Sequence, residues 1–258
     1  MGKVKDRKEI LNIENLTKIF PVSDKEPVVA VDHVNFRLYE GEILGIVGES
    51  GSGKSTIAKL LTRLLDVTEG MISLDGKDII HLKGREFREV YREIQMVFQN
   101  PVSSFNPRRT LGQGIGESLR NAGLSKSETE KRVEALLAEC GLSPEFAKRY
   151  PHEVSGGQCQ RAAIARALAI EPRILICDEA TSALDVTVQA QIMELLIKLQ
   201  KTKDMSYLFI CHNLALVQMF CDRVLVLCDG KIVEEGTPDE VILHPQSEYT
   251  KKLIDSVL

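Results

Sequence analysis

The residues best suited to chemistry form the glycine-rich stretch 48–56, Gly-Glu-Ser-Gly-Ser-Gly-Lys-Ser-Thr. It fits the phosphate-loop pattern G-x-x-x-x-G-K-[ST]. A triphosphate must lie against bare backbone N–H groups, so glycines are needed where the chain wraps it. Lys54 can reach the terminal phosphates, and Ser55 can offer its hydroxyl to Mg2+. The stretch therefore predicts a site for a triphosphate and Mg2+.

The segments on either side of this stretch predict a strand and a helix. Residues 42–47 form an apolar run typical of a buried strand. After the loop, leucine and isoleucine recur with the spacing of one helix face. A helix N-terminus favours an anion through its free N–H groups and its dipole. The alternative is a Gly/Ser surface turn before an ordinary helix. The predicted stripe is Ile57, Leu60, Leu61, Leu64 and Leu65.

A second candidate site is the apolar run 174–177, which is followed by two carboxylates, Asp178 and Glu179. A strand interior cannot solvate them, so we expect both at the edge of a sheet, where ligands collect. Asp178 is then placed to hold Mg2+, and Glu179 to accept a proton from an attacking water. The alternative is a charged N-cap for the next helix.

A third segment, Val-Ser-Gly-Gly-Gln at 154–158, precedes the alanine-rich run 159–170. It predicts a second glycine-lined helix N-terminus that can hold an anion. One phosphate needs one such cradle, so the second cradle suggests a nucleotide held by a partner subunit. Taken alone, Ser-Gly-Gly is also a common turn at the start of a helix.

Length and charge limit the class of protein. The chain has 258 residues, 33 Lys plus Arg and 37 Asp plus Glu, for a net charge of −4. The chain has no excess of basic residues of the kind that would indicate a nucleic-acid partner. No apolar run is long enough to span a membrane, and the charged opening, residues 1–9, is unlike a signal peptide. We expect a soluble chain whose six cysteines, with no C-x-x-C pair, are buried free thiols in a reducing cytosol.

The wider pattern predicts two kinds of sheet and a helical insertion. Residues 10–20 and 28–39 alternate as antiparallel strands do, and 70–75 and 94–98 are further short strands. Residues 100–149 favour helices, because Val133, Leu136, Leu137 and Cys140 recur with the spacing of one helix face. Apolar runs at 174–177, 207–211 and 224–228 alternate with helical segments, which indicates a parallel sheet covered on both faces. Residues 238–258 predict two short helices divided at His244-Pro245.

These segments, in this order, resemble the ATP-binding subunits of ABC transporters over nearly the whole chain. The motifs are Walker A at 48–56, a Q-loop at Gln99, the signature at 154–158, Walker B at 174–179, a D-loop at 182–185 and a switch histidine at His212. Val154 stands where leucine or phenylalanine is more usual in the signature. This is a conservative apolar change.

Within that superfamily three segments resemble the dipeptide, oligopeptide and nickel import branch. They are Gln99–Arg108, Tyr150–Glu153 and His244–Thr250. Many peptide-importing members continue well beyond the Tyr-Thr segment, so a nickel or metal-chelate importer stays open.

The resemblance implies one α/β ABC ATPase domain over residues 1–258, with a P-loop NTPase core. Its expected parts are an antiparallel β subdomain at 10–39, a RecA-like core at 40–99 and 172–237, a helical subdomain at 100–171, and C-terminal helices at 238–258. The core sheet is expected to be mostly parallel.

The resemblance also implies a role for individual residues around ATP. Phe20 would stack on adenine, although an aromatic ending a strand can equally be a core residue. His212 would contact the γ phosphate, although a lone histidine at a strand end is more often structural. Glu179, His212 and Gln99 are the implied catalytic residues, and Ser55, Gln99 and Asp178 the implied Mg2+ ligands. The implied ATP-binding positions are Phe20, Gly48, Ser50, Gly51, Ser52, Gly53, Lys54, Ser55, Thr56 and Asp178.

The partners implied by the family are a second ABC ATPase subunit, identical or paralogous, and an integral membrane permease. Two chains would pack head to tail, so that signature and D-loop residues of one reach ATP on the other. An extracytoplasmic substrate-binding protein would take part indirectly, with no nucleic acid. The chain would then lie at the cytoplasmic face of the membrane. The residues implied to act across the dimer are Ser155, Gly156, Gly157, Gln158 and Asp185.

The resulting prediction is an ATPase subunit that energises uptake of peptides or metal chelates. Residues 100–109 are the candidate permease contact, and the alternative for them is a solvated, proline-rich connector. A soluble ABC-type ATPase acting on nucleic acid or ribosomes is the alternative function. A nucleotide-binding regulator without turnover is a third possibility, and the Asp178-Glu179 pair and His212 argue against it.

Overall fold

The computed structural model describes residues 7–23, 26–182 and 184–256, and these residues form two β-sheets with helices packed around them. The strands are β1 (Glu9–Phe20), β2 (Val28–Tyr39), β3 (Ile43–Val47), β4 (Glu69–Leu74), β5 (Lys77–Asp78), β6 (Ile94–Val97), β7 (Ile174–Asp178), β8 (Ser206–Ile210), β9 (Arg223–Cys228) and β10 (Lys231–Gly236). The α-helices are α1 (Lys54–Leu61), α2 (Gly84–Glu93), α3 (Leu111–Asn121), α4 (Lys126–Glu139), α5 (Gly156–Leu168), α6 (Val186–Lys203), α7 (Leu214–Phe220), α8 (Pro238–Leu243) and α9 (Glu248–Asp255).

The larger sheet has the strand order β10-β9-β3-β8-β7-β6. Five of its strands are mutually parallel, and β10 pairs antiparallel with β9 at one edge. The strands β3, β7 and β8 are buried along their whole length. Side chains alternate between the two faces of a strand, so Leu44 and Ile46 join one core while Ile43 and Val47 join the other. The predicted parallel sheet with both faces covered is therefore confirmed.

The smaller sheet is antiparallel, with the order β2-β1-β4-β5. The two predicted strands at 10–20 and 28–39 are confirmed and pair with each other. Residues 69–74 are also a strand, but they pair with β1, and Leu11 lies opposite Leu74. They thus lie in the antiparallel sheet, although the predicted core range 40–99 includes them. The boundaries predicted between subdomains stay a prediction.

Residues 100–149, for which the periodicity predicted helices, contain α3 and α4. α3 and α4 each begin with a capping box, built by Thr110 with Gln113 and by Ser125 with Glu128. Such caps satisfy backbone N–H groups that have no partner within the helix. The predicted stripe of Val133, Leu136, Leu137 and Cys140 is buried against α3 and α5.

The helix after the phosphate loop is shorter than its apolar stripe predicted. α1 ends at Leu61, and Leu64 is 49% exposed. Arg63 adopts a left-handed φ of 55°, and the N–H groups of Leu64 and Leu65 both donate to the Lys59 carbonyl. This C-terminal turn ends the helix, so the prediction that Leu64 continues the buried face is wrong.

The remaining chain-wide predictions concern the thiols and the tail. All six cysteines are free; four are buried, while Cys221 and Cys228 are half-buried. Burial raises the pKa of Cys140, Cys177 and Cys211 to about 12. The tail forms the two predicted short helices, α8 and α9. Among the described residues, no helix has the length and apolarity needed to cross a membrane.

Candidate ATP-binding site

The candidate site lies where the parallel strands end. β3, β8, β7 and β6 are neighbours in the sheet, and the phosphate loop follows β3 directly. Glu179 comes directly after β7, while Gln99 lies two residues after the end of β6 and His212 two residues after the end of β8. Parallel neighbours end at the same edge, so the topology brings together four segments that lie far apart in sequence.

The glycines of the loop are required by the chain that surrounds it. A Cβ at Gly48 would overlap the Leu227 carbonyl, and a Cβ at Gly53 would overlap the Ala30 carbonyl. Both glycines also have a positive φ, of 154° and 107°, which L side chains rarely adopt. At Gly51 a Cβ would meet nothing within 4 Å. The loop is thus tightly backed at both ends and open in its middle.

The Lys54 side chain lies folded within the loop. Lys54 is only 4% exposed, and its Nζ donates to the carbonyls of Gly48 at 2.8 Å and Glu49 at 2.7 Å. Burial lowers the pKa of Lys54, while the nearby carboxylates of Glu179 and Asp178 oppose that shift. The loop therefore keeps a cation beside its backbone, where the phosphates of a nucleotide would lie.

Asp178 and Ser55 form an oxygen pair at the start of α1. The Ser55 hydroxyl donates to Asp178 Oδ1 at 2.8 Å, and Asp178 is 5% exposed. Burial raises the pKa of Asp178, as does the neighbouring Glu179, while the Ser55 hydrogen bond lowers it. A buried carboxylate beside a hydroxyl offers the hard oxygen ligands that suit Mg2+. Within the described part of the chain, the buried Ser52 hydroxyl in the same loop has no hydrogen-bond partner.

Gln99, His212 and a backbone hydrogen bond surround and orient Glu179. Gln99 Nε2 donates to Glu179 Oε2 at 2.6 Å, and His212 Nδ1 lies 4.0 Å from Glu179 Oε1. Its φ of 47° is left-handed, which costs a non-glycine residue about 1–3 kcal/mol. The Glu179 N–H donates to the Ile210 carbonyl at 2.9 Å and holds this conformation. The three predicted catalytic residues therefore lie in one group.

The signature residues lie at the start of α5. Ser155 Oγ accepts from the Gln158 N–H at 3.3 Å, and Gln158 Oε1 accepts from the Ser155 N–H at 2.9 Å. Ser155 and Gly156 are exposed. A Cβ on Gly157 would overlap Val188 Cγ1 on α6. Gly157 is thus needed for close packing of α5 on α6, a requirement that its motif did not predict.

The D-loop connects Walker B to α6. Ser182 Oγ donates to the Glu179 carbonyl at 3.0 Å. The Asp185 carboxylate accepts from the Val188 N–H at 3.0 Å and caps α6. Ala183, which belongs to the predicted D-loop, lies outside the described residues. The roles predicted for the signature and Asp185 across a dimer stay predictions.

Phe20 ends β1 in the antiparallel sheet, whereas Asp178 and Glu179 lie at the end of β7 in the larger sheet. It is half-buried, pairs with Val28 across the sheet and has Lys18 Nζ 5.1 Å from its ring centre. Val28 itself is 54% exposed. This end of the antiparallel sheet therefore presents an aromatic ring beside an exposed apolar side chain, and the predicted adenine contact stays a prediction.

Two further contacts on the loop had no predicted role. The Gly230 N–H donates to the Ser52 carbonyl at 3.0 Å. The Tyr249 hydroxyl accepts from the Glu49 N–H at 3.1 Å across a separation of 200 residues. No local pattern could have predicted either contact, because each depends on how the C-terminal segment folds back.

Comparison with known proteins identifies the family that this fold and site define. The ABC transporter family model matches residues 31–182, more than half of the chain. The chain belongs to this family, and it is an ATP hydrolase of the ABC type with the ABC ATPase fold.

Named relatives cover nearly the whole chain. The oligopeptide transport ATP-binding protein OppF of Salmonella typhimurium is 47% identical over 98% of this chain and 79% of its own length. The dipeptide transport ATP-binding protein DppF of Lactococcus lactis is 44% identical over 97% of this chain and 81% of its own length. These matches confirm the predicted resemblance to the importer branch. The alternative of a soluble ATPase acting on nucleic acid or ribosomes is not favoured.

A solved structure supports the same assignment. A dimeric ATP-binding cassette in a post-hydrolysis state, bound to ADP and Pi, has a TM-score of 0.81 and is 33% identical. The match covers 89% of this chain and 99% of that one. The predicted fold class is confirmed by this likeness.

Proposed function

We propose that this chain binds ATP with Mg2+ at the candidate site and hydrolyses it to energise peptide uptake through a membrane permease. One observation carries the proposal: Lys54, the Ser55–Asp178 pair and Glu179 meet at one edge of the sheet. Mg2+, held by Ser55, Asp178 and Gln99, would supply positive charge to the β and γ phosphates.

The residues of the chain have separable roles in hydrolysis. Glu179 accepts a proton from water as the water oxygen bonds to the γ phosphorus and the bond to the bridging oxygen breaks. Backbone N–H groups of 50–56 and the Lys54 ammonium stabilise the charge that moves onto the phosphate oxygens. Gln99 and His212 orient Glu179 and the water from either side.

The proposed assembly is a head-to-tail dimer of ABC ATPase subunits on a permease at the cytoplasmic face of the membrane. The exposed Ser155 and Gly156 of one subunit would close over ATP on the other. Both relatives described above carry peptide transport in their names, which supports a di- or oligopeptide as the cargo. Import of nickel or a metal chelate stays an untested prediction.

Replacing the loop lysine tests the proposed site. We expect Lys54→Ala to abolish ATP binding in isothermal titration calorimetry, because the variant loses the buried cation of the loop. Lys59→Ala is the matched control, since Lys59 is an exposed lysine on the same helix. ATP affinity equal to that of the unmodified chain in a folded Lys54→Ala variant would overturn the assignment.

A further inference from the structure

The peptide unit between Gly48 and Glu49 is held at both ends. Its carbonyl, on Gly48, accepts from Lys54 Nζ at 2.8 Å. Its N–H, on Glu49, donates to the hydroxyl of Tyr249 at 3.1 Å. One peptide plane therefore lies between the loop lysine and a side chain of the last helix.

The last helix is itself firmly attached to the body of the protein. Leu253 and Ile254 are buried in the main core. The N–H groups of Gln246 and Ser247 donate to the Glu234 carboxylate of β10 at 2.8 and 3.0 Å. Because α9 is fixed by these contacts, Tyr249 offers the phosphate loop a stationary point of attachment.

We propose that Tyr249 is a positioning residue that holds the Gly48–Glu49 peptide in the orientation that keeps Lys54 in place for ATP. The proposal rests on the proposed role of the phosphate loop and adds to it a residue from outside every motif of the site. Tyr249 touches no reacting atom, so its contribution is to the affinity for nucleotide.

The physical argument concerns the freedom of one peptide plane. Without the Tyr249 hydroxyl, the Glu49 N–H can turn towards water, because this end of the loop is exposed. The Gly48 carbonyl turns with it, since both atoms belong to the same planar unit. Lys54 then loses one of its two carbonyl partners. Restoring the loop when ATP binds costs part of the binding free energy.

The test compares Tyr249→Phe with the unmodified full-length chain. Phenylalanine keeps the ring against the protein and removes only the hydroxyl. We expect the Kd for ATP to rise about threefold to tenfold, the range of one hydrogen bond. The KM for ATP should rise by a similar factor while kcat stays within about twofold. Amide hydrogen exchange at Glu49 should become faster.

The control is Tyr91→Phe, which removes a hydroxyl from α2, where the ring lies 4.6 Å from that of Phe87. It should leave the Kd unchanged. A Tyr249→Phe variant with unchanged Kd and unchanged exchange at Glu49 overturns the inference alone. A lower kcat at unchanged KM also contradicts it. An unmodified chain that binds no ATP would instead overturn the proposed function as well.

Discussion

At the scale of single residues, the site depends on how Glu179 is held. Its backbone is left-handed, its N–H is tied to Ile210, and its carboxylate accepts from Gln99. A carboxylate held so closely needs little rearrangement to receive a proton from water. The strain of this backbone is consistent with selection for position over stability.

Glu179→Gln tests this role directly. Glutamine keeps the shape of the side chain but cannot accept the proton, so we expect hydrolysis to slow by about a hundredfold or more. An ATP-bound dimer should accumulate, because the nucleotide persists between the subunits. Steady-state phosphate release and size-exclusion chromatography with ATP measure both effects.

The matched control for that experiment is Glu89→Gln, which changes an exposed glutamate on α2. Normal turnover in Glu179→Gln would remove Glu179 from the role of general base, whatever the behaviour of the control.

At the scale of elements, the contact of α5 with α6 depends on one missing side chain. The start of α5 approaches α6 so closely that a methyl group on Gly157 would overlap Val188. Asp185, the residue immediately before α6, caps that helix by accepting from the Val188 N–H. The signature residue Gly157 and the D-loop residue Asp185 therefore both contact Val188 within a single chain.

Gly157→Ala should destabilise the fold by about 1–3 kcal/mol, the usual cost of overpacking. Adding Val188→Ala removes the side-chain carbons that clash, so the double variant should recover part of that loss. Thermal or denaturant unfolding of the two single variants and the double variant measures the coupling. Purely additive effects would show that Gly157 is not required for packing against Val188.

The sequence predicted those elements whose pattern is local. The run 174–177 predicted β7 because a strand buried on both faces is continuously apolar, and the helical spacing of Val133, Leu136, Leu137 and Cys140 predicted α4. The end of α1 was predicted too late, since Leu64 continues the periodicity while Arg63 turns the backbone. The sheet joined by β4 could not be predicted, because pairing with β1 is decided by contacts distant in sequence.

The candidate site divides in the same way, into residues that a local motif predicts and contacts that only the tertiary structure shows. Lys54, Ser55, Asp178 and Glu179 come from motifs whose residue types state their chemistry. The contact of Tyr249 with Glu49 and the overlap at Gly157 depend on tertiary packing. No spacing in the chain encodes either of them.

At the scale of the whole molecule, the proposed permease contact is joined to the signature helix. Arg166 on α5 donates to the Ser104 carbonyl, and its guanidinium carbon lies 4.5 Å from the centre of the Phe105 ring. Phe105 is buried, while residues 106–109 after it are exposed. The segment therefore has an anchored base and an exposed tip.

Changing the tip to alanine at Asn106, Pro107 and Arg108 should uncouple transport from ATP hydrolysis. These residues lie outside the ATP site, so the ATPase activity of the subunit should stay near its original value. Peptide uptake into vesicles carrying the whole transporter should fall strongly. Normal uptake by the triple variant would count against this segment as the permease contact.

The attachment of Arg166 has a mechanical consequence. From Ser155 to Arg166 along α5 is about 16 Å at the rise of an α-helix, and the helix is continuous between the two residues. Given the proposed roles, α5 has Ser155, which would contact ATP, at its N-terminus and Arg166, which contacts the proposed permease segment, near its C-terminus. A nucleotide-driven displacement of Ser155 would therefore move Arg166, and with it the attached Ser104 and Phe105, along the same helix.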